Sequence, residues 1–108
     1  MEICVFGASS EQIEKIYIDT AERLGRAIAN RGDAVIYGAG KYGVMGATAR
    51  GVTSEKGELI GVSPEFFKKD KVLYDKCTEL VFTDTMRERK GVMEDRADAF
   101  VICAGGIG

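Results

Sequence analysis

The 108 residues suffice for one small domain, and 45% hydrophobic with 30% charged residues is an ordinary globular mixture that argues against a disordered chain. A formal net charge of −2 provides no overall basic field, so we expect neither a nucleic-acid partner nor a membrane partner. The chain has no histidine, which excludes a Ser-His or Cys-His nucleophile pair and a histidine-based zinc site. Proton transfer would therefore fall mainly to carboxylates.

The three cysteines, Cys4, Cys77 and Cys103, are odd in number and form no C-x-x-C pair. Cys4 and Cys103 lie in apolar runs, where a thiol behaves as a small hydrophobic group. This usage is typical of reduced core cysteines in a cytoplasmic protein, and we expect neither a metal nor a cofactor. Met1 leads almost directly into a predicted strand, with no basic region of the kind that opens a secretory signal.

The first predicted unit is a strand over Ile3–Phe6 followed by a helix that ends near Arg31. Gly32 is a natural residue to follow the C terminus of that helix. Ser9 and Gln12 have the spacing of a capping box, so the serine is either a plain helix cap or a cap that also contacts a bound phosphate or ribose. The apolar residues at helical spacing, which predict the inner face, are Ile13, Tyr17, Ala21, Leu24 and Ile28.

The second predicted strand, Ala34–Tyr37, runs into a glycine-rich turn, residues 38–43, that fits G-x-G-x-x-G. A dinucleotide fingerprint normally lies in the first strand–helix unit and has an acidic residue about 20 positions later. Here the next predicted strand, Leu59–Val62, ends without an acid, which argues against NAD. Gly40 and Gly43 would either let a mononucleotide lie close to the backbone or serve only tight strand-to-helix packing.

The helix after this turn is predicted from Gly43 to about Lys56, and its small residues, Gly51 among them, would allow a close approach to the sheet. Met45 of this helix would contact a base or belong to the core. The region 64–75 is the least regular, and Phe66-Phe67 beside three lysines predicts a short amphipathic turn or a lid over a pocket. The lysines would either form a solvated face or attract a phosphate.

The last quarter of the chain carries a predicted strand at Glu79–Phe82, a helix at Met86–Ala97 with Asp84 as its N-cap, and a buried strand at Ala99–Cys103. A glycine-rich turn, residues 104–108, follows, and such turns after parallel strands are where α/β proteins bind phosphate. Four residues of the helix fall at i, i+3, i+4 and i+7 and so share one face: Met86, Arg89, Lys90 and Met93.

Five predicted strands alternating with helices indicate an α/β, Rossmann-like three-layer fold with a parallel sheet, in a single nucleotide-binding domain over residues 1–108. Right-handed crossovers would bring the glycine turns after Phe6, Tyr37 and Cys103 to one edge of the sheet. Those turns, with Arg89 and Lys90, would line one crevice. From the residues alone, the favoured interpretation of Arg89 is a solvated helix cation.

Four elements, in order and at matching spacing, resemble the LOG ("Lonely Guy") family of phosphoribohydrolases. Met86-Arg87-Glu88-Arg89-Lys90 is similar to the family's M-x-x-R-K element. Gly105-Gly106-Ile107-Gly108 is similar to the first part of P-G-G-x-G-T-x-x-E, and the runs 3–10 and 37–46 also match. Any one element alone would be weak, but four in register over nearly the whole chain are specific.

The resemblance implies hydrolysis of the N-glycosidic bond of a nucleoside 5'-monophosphate, AMP or a cytokinin riboside monophosphate, to the free base and ribose 5-phosphate by a homodimer. Such a reaction must stabilise positive charge on the ribose and activate a water molecule, which a carboxylate can do. It further implies a catalytic role for Arg89. The residues that would bind the substrate or its phosphate are Lys90, Met86, Gly105, Gly106, Gly108, Ser9, Gly40 and Gly43.

The threonine and glutamate of the family element have no counterpart in the 108 residues, and Ala104 replaces the usual proline. We therefore expect that the C-terminal part of the fold is missing and that this chain alone is inactive. We also expect the Ala99–Cys103 strand to lack its covering helix and to promote self-association. The alternative is a non-catalytic carrier, such as the molybdenum-cofactor carrier proteins that share the fold, and T-x-x-E after Gly108 would favour the enzyme.

Overall fold

The structure is a computed structural model, and it describes residues 1–10 and 12–105. The sheet consists of β1 (Glu2–Phe6), β2 (Ala34–Tyr37), β3 (Leu59–Pro64), β4 (Glu79–Thr83) and β5 (Ala99–Ile102). The helices are α1 (Lys15–Asn30), α2 (Gly43–Ser54) and α3 (Met86–Arg96), with a short 3-10 helix at Glu65–Lys69. None of the helices in the described ranges is long and apolar enough to cross a membrane.

All strand pairs are parallel and the spatial order is β4-β3-β2-β1-β5, which confirms the predicted parallel α/β sheet. The chain builds the sheet outwards from β1 in one direction and then returns to place β5 on the other side of β1. This reversal lies between β1 and β5, and α/β proteins bind ligands outside the carboxyl ends of the strands at such a point.

The two faces of the sheet carry separate cores because side chains alternate along each strand. Val5 and Val35 pack with Ile28 of α1 and Val52 of α2 on one face. The opposite face packs Cys4, Ile36, Ile60 and Val62 against Met93 of α3. The arrangement is therefore three-layered, with α1 and α2 on one side and α3 on the other.

Helices α1 and α2 touch almost backbone to backbone. A Cβ atom on Gly51 would lie 2.1 Å from the carbonyl oxygen of Glu22, and one on Gly25 would lie 2.2 Å from that of Thr48. The expectation that Gly51 lets α2 approach the sheet is therefore wrong, because the glycine accommodates the neighbouring helix instead.

The C-terminal end of α1 agrees with the prediction. Gly32 has φ +82°, and its N–H donates to the carbonyl of Ala29 at 2.9 Å. The N–H of Asp33 donates to the carbonyl of Ile28 at 3.2 Å, which completes a Schellman motif.

The predicted capping residues of two helices are wrong, although α3 begins at Met86 as predicted. Helix α1 begins at Lys15 with no side-chain cap, so the predicted capping role of Ser9 does not occur. Helix α3 is capped by Thr85 rather than by Asp84, because the Thr85 hydroxyl accepts from the N–H of Glu88 at 3.1 Å. Tyr17, which was assigned to the inner face of α1, is 49% exposed.

Strand β5 forms one edge of the sheet and is only half covered. Val101 and Cys103 pack on the side of α1 and α2. On the opposite side Phe100 is 51% exposed and Ile102 is 56% exposed, with the Phe100 ring stacked on that of Phe6 at 6.2 Å. The prediction of a buried strand is therefore wrong for this face, and within the described residues its apolar side chains are exposed, as expected for a strand without a covering helix.

Candidate functional site

Three turns meet at the carboxyl edge of the sheet, after β1, β2 and β5. The N–H of Ala8 donates to the carbonyl of Ala104 at 3.1 Å, which joins the first turn to the last. The N–H of Met45, in the first turn of α2, donates to the carbonyl of Ala8 at 3.2 Å. The predicted convergence of the glycine turns on one edge is thus confirmed for the described residues.

A cleft of about 1000 Å³, here called the main cleft, lies over this edge and reaches from α3 to β5. A smaller cavity of about 230 Å³, here called the side cavity, lies over the ends of β2 and α2. Residues that line both spaces are Ser9, Gly38, Met45 and Arg89.

Arg89 is fixed to the ends of two strands. Its Nε donates to the carbonyl of Val62 in β3 at 3.0 Å, and its Nη2 donates to the carbonyl of Gly38 after β2 at 2.9 Å. Its Nη1 donates to Sδ of Met86, one turn earlier in α3, at 3.4 Å. A guanidinium has five N–H groups, so these three bonds leave two for a ligand.

The electrostatic setting of Arg89 favours an anion. Burial lowers the pKa of Arg89 below its ordinary value, yet an arginine stays protonated at neutral pH. No salt bridge within residues 1–10 and 12–105 involves Arg89. A half-buried cation held by neutral carbonyls keeps its charge available, which excludes the interpretation as a freely solvated surface arginine.

The other charged residues of the main cleft come from the same helix. Lys90 and Arg87 line it beside Arg89, and Glu94 is the one carboxylate among the described lining residues. Met86 also lines the cleft and is 47% exposed. The face predicted from the spacing of α3 therefore turns towards the cleft.

The predicted glycines occupy different places. Gly105, with φ +73°, lines the main cleft, and Gly40 lines the side cavity. Gly43 lines neither space: it has φ +65°, and a Cβ atom there would lie 2.6 Å from the carbonyl oxygens of Ala8 and Ser10. Gly106 and Gly108 lie outside the described residues.

The outer wall of the side cavity comes from residues 64–75, for which a lid over a pocket is one of the predicted alternatives, but the sequence did not identify Val72 and Leu73 as part of it. Phe67, Val72 and Leu73 line it, from the region predicted to be irregular. This segment is held by backbone bonds, because the N–H of Lys41 donates to the carbonyl of Val72 at 3.0 Å and Gly40 forms a bridge with Leu73. The signal in the sequence is Val72-Leu73, an apolar pair that follows the lysine run. It does not show which part of the chain the pair would contact.

A buried tyrosine also holds the turn after β2 in place. The hydroxyl of Tyr37, a side chain only 1% exposed, donates to the carbonyl of Gly40 at 2.8 Å. Burial is the main cause that raises the pKa of Tyr37 far above its ordinary value, so the phenol remains a donor. The side cavity thus rests on a fixed backbone.

Comparison with known proteins places the chain in a family. A sequence model of the SLOG cluster4 family matches residues 1–108. A cytokinin riboside 5'-monophosphate phosphoribohydrolase of Mycobacterium tuberculosis is 37% identical over 98% of this chain and 56% of its own length. A probable enzyme of the same name from rice is 37% identical over 98% of this chain and 47% of its own. The chain spans about half the length of these curated relatives.

Solved structures agree in fold. The molybdenum cofactor binding protein of Rippkaea orientalis matches 98% of this chain and 63% of its own, with a TM-score of 0.83 and 25% identity. The Moco carrier protein of Chlamydomonas reinhardtii gives a TM-score of 0.82 at 23% identity over 99% of this chain and 64% of its own, which supports the fold alone. The motifs, the glycine turns gathered around Arg89 and the match over residues 1–108 lead to one conclusion: the chain belongs to the SLOG cluster4 family, and its resemblance to the LOG proteins is confirmed.

Proposed function

We propose that this chain forms the nucleotide-binding part of a phosphoribohydrolase site for nucleoside 5'-monophosphates. One observation carries the proposal: the Arg89 guanidinium is held by the carbonyls of Gly38 and Val62 where the glycine turns converge. A fixed cation with two unused N–H groups suits a phosphate or ribose oxygen, because charge-assisted bonds to anions are among the strongest in proteins.

The phosphate is expected in the main cleft between Arg89, Lys90 and the turn at Gly105. Two cations on one helix face would neutralise its charge, and a glycine turn lets the backbone approach it closely. Binding energy gained at the phosphate can then hold the sugar in a reactive position.

The base is expected in the side cavity. Its walls include the apolar side chains of Met45, Phe67 and Leu73, and it opens next to Arg89. A flat base fits between such apolar walls, and its ribose would then lie close to Arg89.

AMP binding tests the proposal. We expect Arg89→Ala to weaken AMP binding at least tenfold in isothermal titration, since a hydrogen bond to a charged group contributes about 1.5–3 kcal/mol. Arg23, an exposed arginine on α1, offers a matched control, and Arg23→Ala should leave the dissociation constant within about twofold. Equal binding by the wild type and Arg89→Ala would refute the assignment.

Hydrolysis requires a carboxylate near the ribose. The 108 residues lack the family's glutamate, so we propose that this polypeptide binds AMP without releasing adenine. Chromatography of AMP after incubation with the protein measures this directly. If adenine is released and Glu94→Gln abolishes the release, Glu94 supplies the carboxylate and the proposed inactivity is wrong.

A carrier role is the second candidate, and the structural match to the Rippkaea orientalis protein favours it. The two functions differ in ligand. Tight binding of the molybdenum cofactor together with no detectable binding of AMP would favour the carrier, whereas AMP binding that depends on Arg89 favours the nucleotide site.

A further inference from the structure

The Arg89 guanidinium lies in the space that a side chain at position 38 would occupy. A Cβ atom built on Gly38 would lie 1.6 Å from Nη2 and 2.8 Å from Cζ of Arg89. The next neighbour, Cε of Met45, is at 3.2 Å. We infer that Gly38 is a positioning residue for Arg89: because glycine has no side chain, the guanidinium fits against the backbone at position 38 and is held there in the cleft.

The requirement for glycine at this position comes from space, not from backbone conformation. The glycines with positive φ among the described residues are Gly32, Gly43 and Gly105, so the backbone at Gly38 suits an alanine. The obstacle to a side chain at position 38 is the guanidinium of Arg89 in α3, 51 positions away along the chain. Removal of the Arg89 side chain should therefore remove the obstacle.

An alanine at position 38 would displace the guanidinium. An ordinary contact begins at 3.4 Å, about 1.8 Å farther than the 1.6 Å between the Cβ position and Nη2. Nη2 donates to the carbonyl of Gly38 itself at 2.9 Å, and Nε donates to the carbonyl of Val62 at 3.0 Å. The Nη2 bond cannot survive such a displacement, because hydrogen bonds lengthened beyond about 3.5 Å are lost. Nε belongs to the same planar group, and Cζ must also move from 2.8 Å, so the shift draws Nε away from the carbonyl of Val62.

Two readouts on four proteins test the inference: wild type, Gly38→Ala, Arg89→Ala and the double variant. Nuclear magnetic resonance of arginine Nε–H groups reports Arg89 directly: beside the signal of Arg96, whose Nε donates to Glu2, the wild type should show a slowly exchanging signal that is absent in Arg89→Ala. Gly38→Ala should lose the same signal. Gly91→Ala is the matched control, since nothing lies within 4 Å of a Cβ atom on Gly91 in α3, and it should keep the signal.

The second readout, AMP affinity, rests on the proposed function. Gly38→Ala should weaken AMP binding by the same factor as Arg89→Ala, at least tenfold, and the double variant should bind no more weakly than either single variant. A role of Gly38 in folding alone would lower the unfolding temperature but leave the affinity of the folded protein unchanged.

The outcomes separate the two ideas. A slowly exchanging Arg89 signal retained in Gly38→Ala overturns the inference. Loss of that signal with unchanged AMP binding supports the positioning role and refutes the nucleotide site. If Gly38→Ala fails to fold, the double variant decides, because removing Arg89 should restore a folded protein; a double variant that is equally unfolded overturns the inference.

Discussion

The backbone contact between α1 and α2 allows a stability prediction with a magnitude. In Gly51→Ala the new Cβ atom would lie 2.1 Å from the carbonyl oxygen of Glu22, where ordinary contacts begin at 3.4 Å, so the two helices must separate by about 1 Å. A gap of that size forfeits about a quarter to a half of the dispersion attraction across the interface. Overpacking of this kind costs about 1–3 kcal/mol, and this case falls near the upper end because the obstacle is backbone.

An alanine in place of a helical glycine normally stabilises by about 0.5–1 kcal/mol, so the net loss for Gly51→Ala should be about 2 kcal/mol. That corresponds to a fall of roughly 8–16 °C in Tm for a domain of this size. Gly91→Ala makes the same chemical change in α3 with nothing within 4 Å, and it should raise stability by about 0.5–1 kcal/mol. Urea unfolding followed by circular dichroism measures both, and equal stability of the two variants would refute the reasoning.

Three further predictions concern the turn after β2, the amino edge of the sheet and β5. Tyr37→Phe removes the donor to the carbonyl of Gly40 and should lower the free energy of unfolding, measured in urea, by about 1–2 kcal/mol; an unchanged value would show that this bond does not stabilise the turn. The hydrogen bond from Arg96 lowers the pKa of Glu79 below its ordinary 4.5, so the folded state binds fewer protons than the unfolded state there. The wild type should exceed Glu79→Gln in free energy of unfolding by its full margin above pH 4.5, and this margin should shrink as the pH falls through the pKa of Glu79 in the folded state. A margin that does not change with pH would contradict the prediction. Phe100→Thr should reduce self-association in light scattering, because Phe100 is 51% exposed on an edge strand, and unchanged association would exclude this surface.

Strands β1, β2 and β3 could be predicted from the sequence because they are buried on both faces. Ala34–Tyr37 is apolar throughout and bounded by Gly38, and the structure places β2 at the same residues, fully buried. β5 was misjudged for the same reason: Phe100 and Ile102 are as apolar as a core strand, but their covering layer is absent from the described residues. Composition shows what a strand could bury, and the neighbouring elements decide whether it is buried.

The helix caps show that the spacing of a capping box does not predict a cap where other bonds hold the chain. Ser9 has the right spacing from Gln12, yet the chain at Ala8 is bonded to Ala104 and to Met45, so it cannot turn into a helix there. Asp84 and Thr85 are both good caps, and the choice follows from Glu88. Its N–H bonds to Thr85 and its carboxylate accepts from the N–H of Asp84, a variant of the capping box that the sequence did contain.

For the site, the sequence predicted which residues meet but not what holds them. The spacing of α3 and the sheet topology placed Arg89 beside the glycine turns. Its anchors are backbone carbonyls 27 and 51 positions away, at Val62 and Gly38, and no pattern of residue types encodes a carbonyl. The same limit applies to the wall at Leu73, which depends on the backbone bond between Lys41 and Val72 and on the bridge between Gly40 and Leu73.

The anchoring of Arg89 to main-chain oxygens has a consequence for both affinity and evolution. A free arginine carries about 2 kcal/mol of rotamer entropy, most of which an arriving anion would have to remove. Here folding has already removed it, so the site is preorganised and should gain affinity without any additional contact. Because a carbonyl is present whatever the side chain, position 62 can change among residues that fit the core without releasing the guanidinium, whereas position 38 has no such freedom.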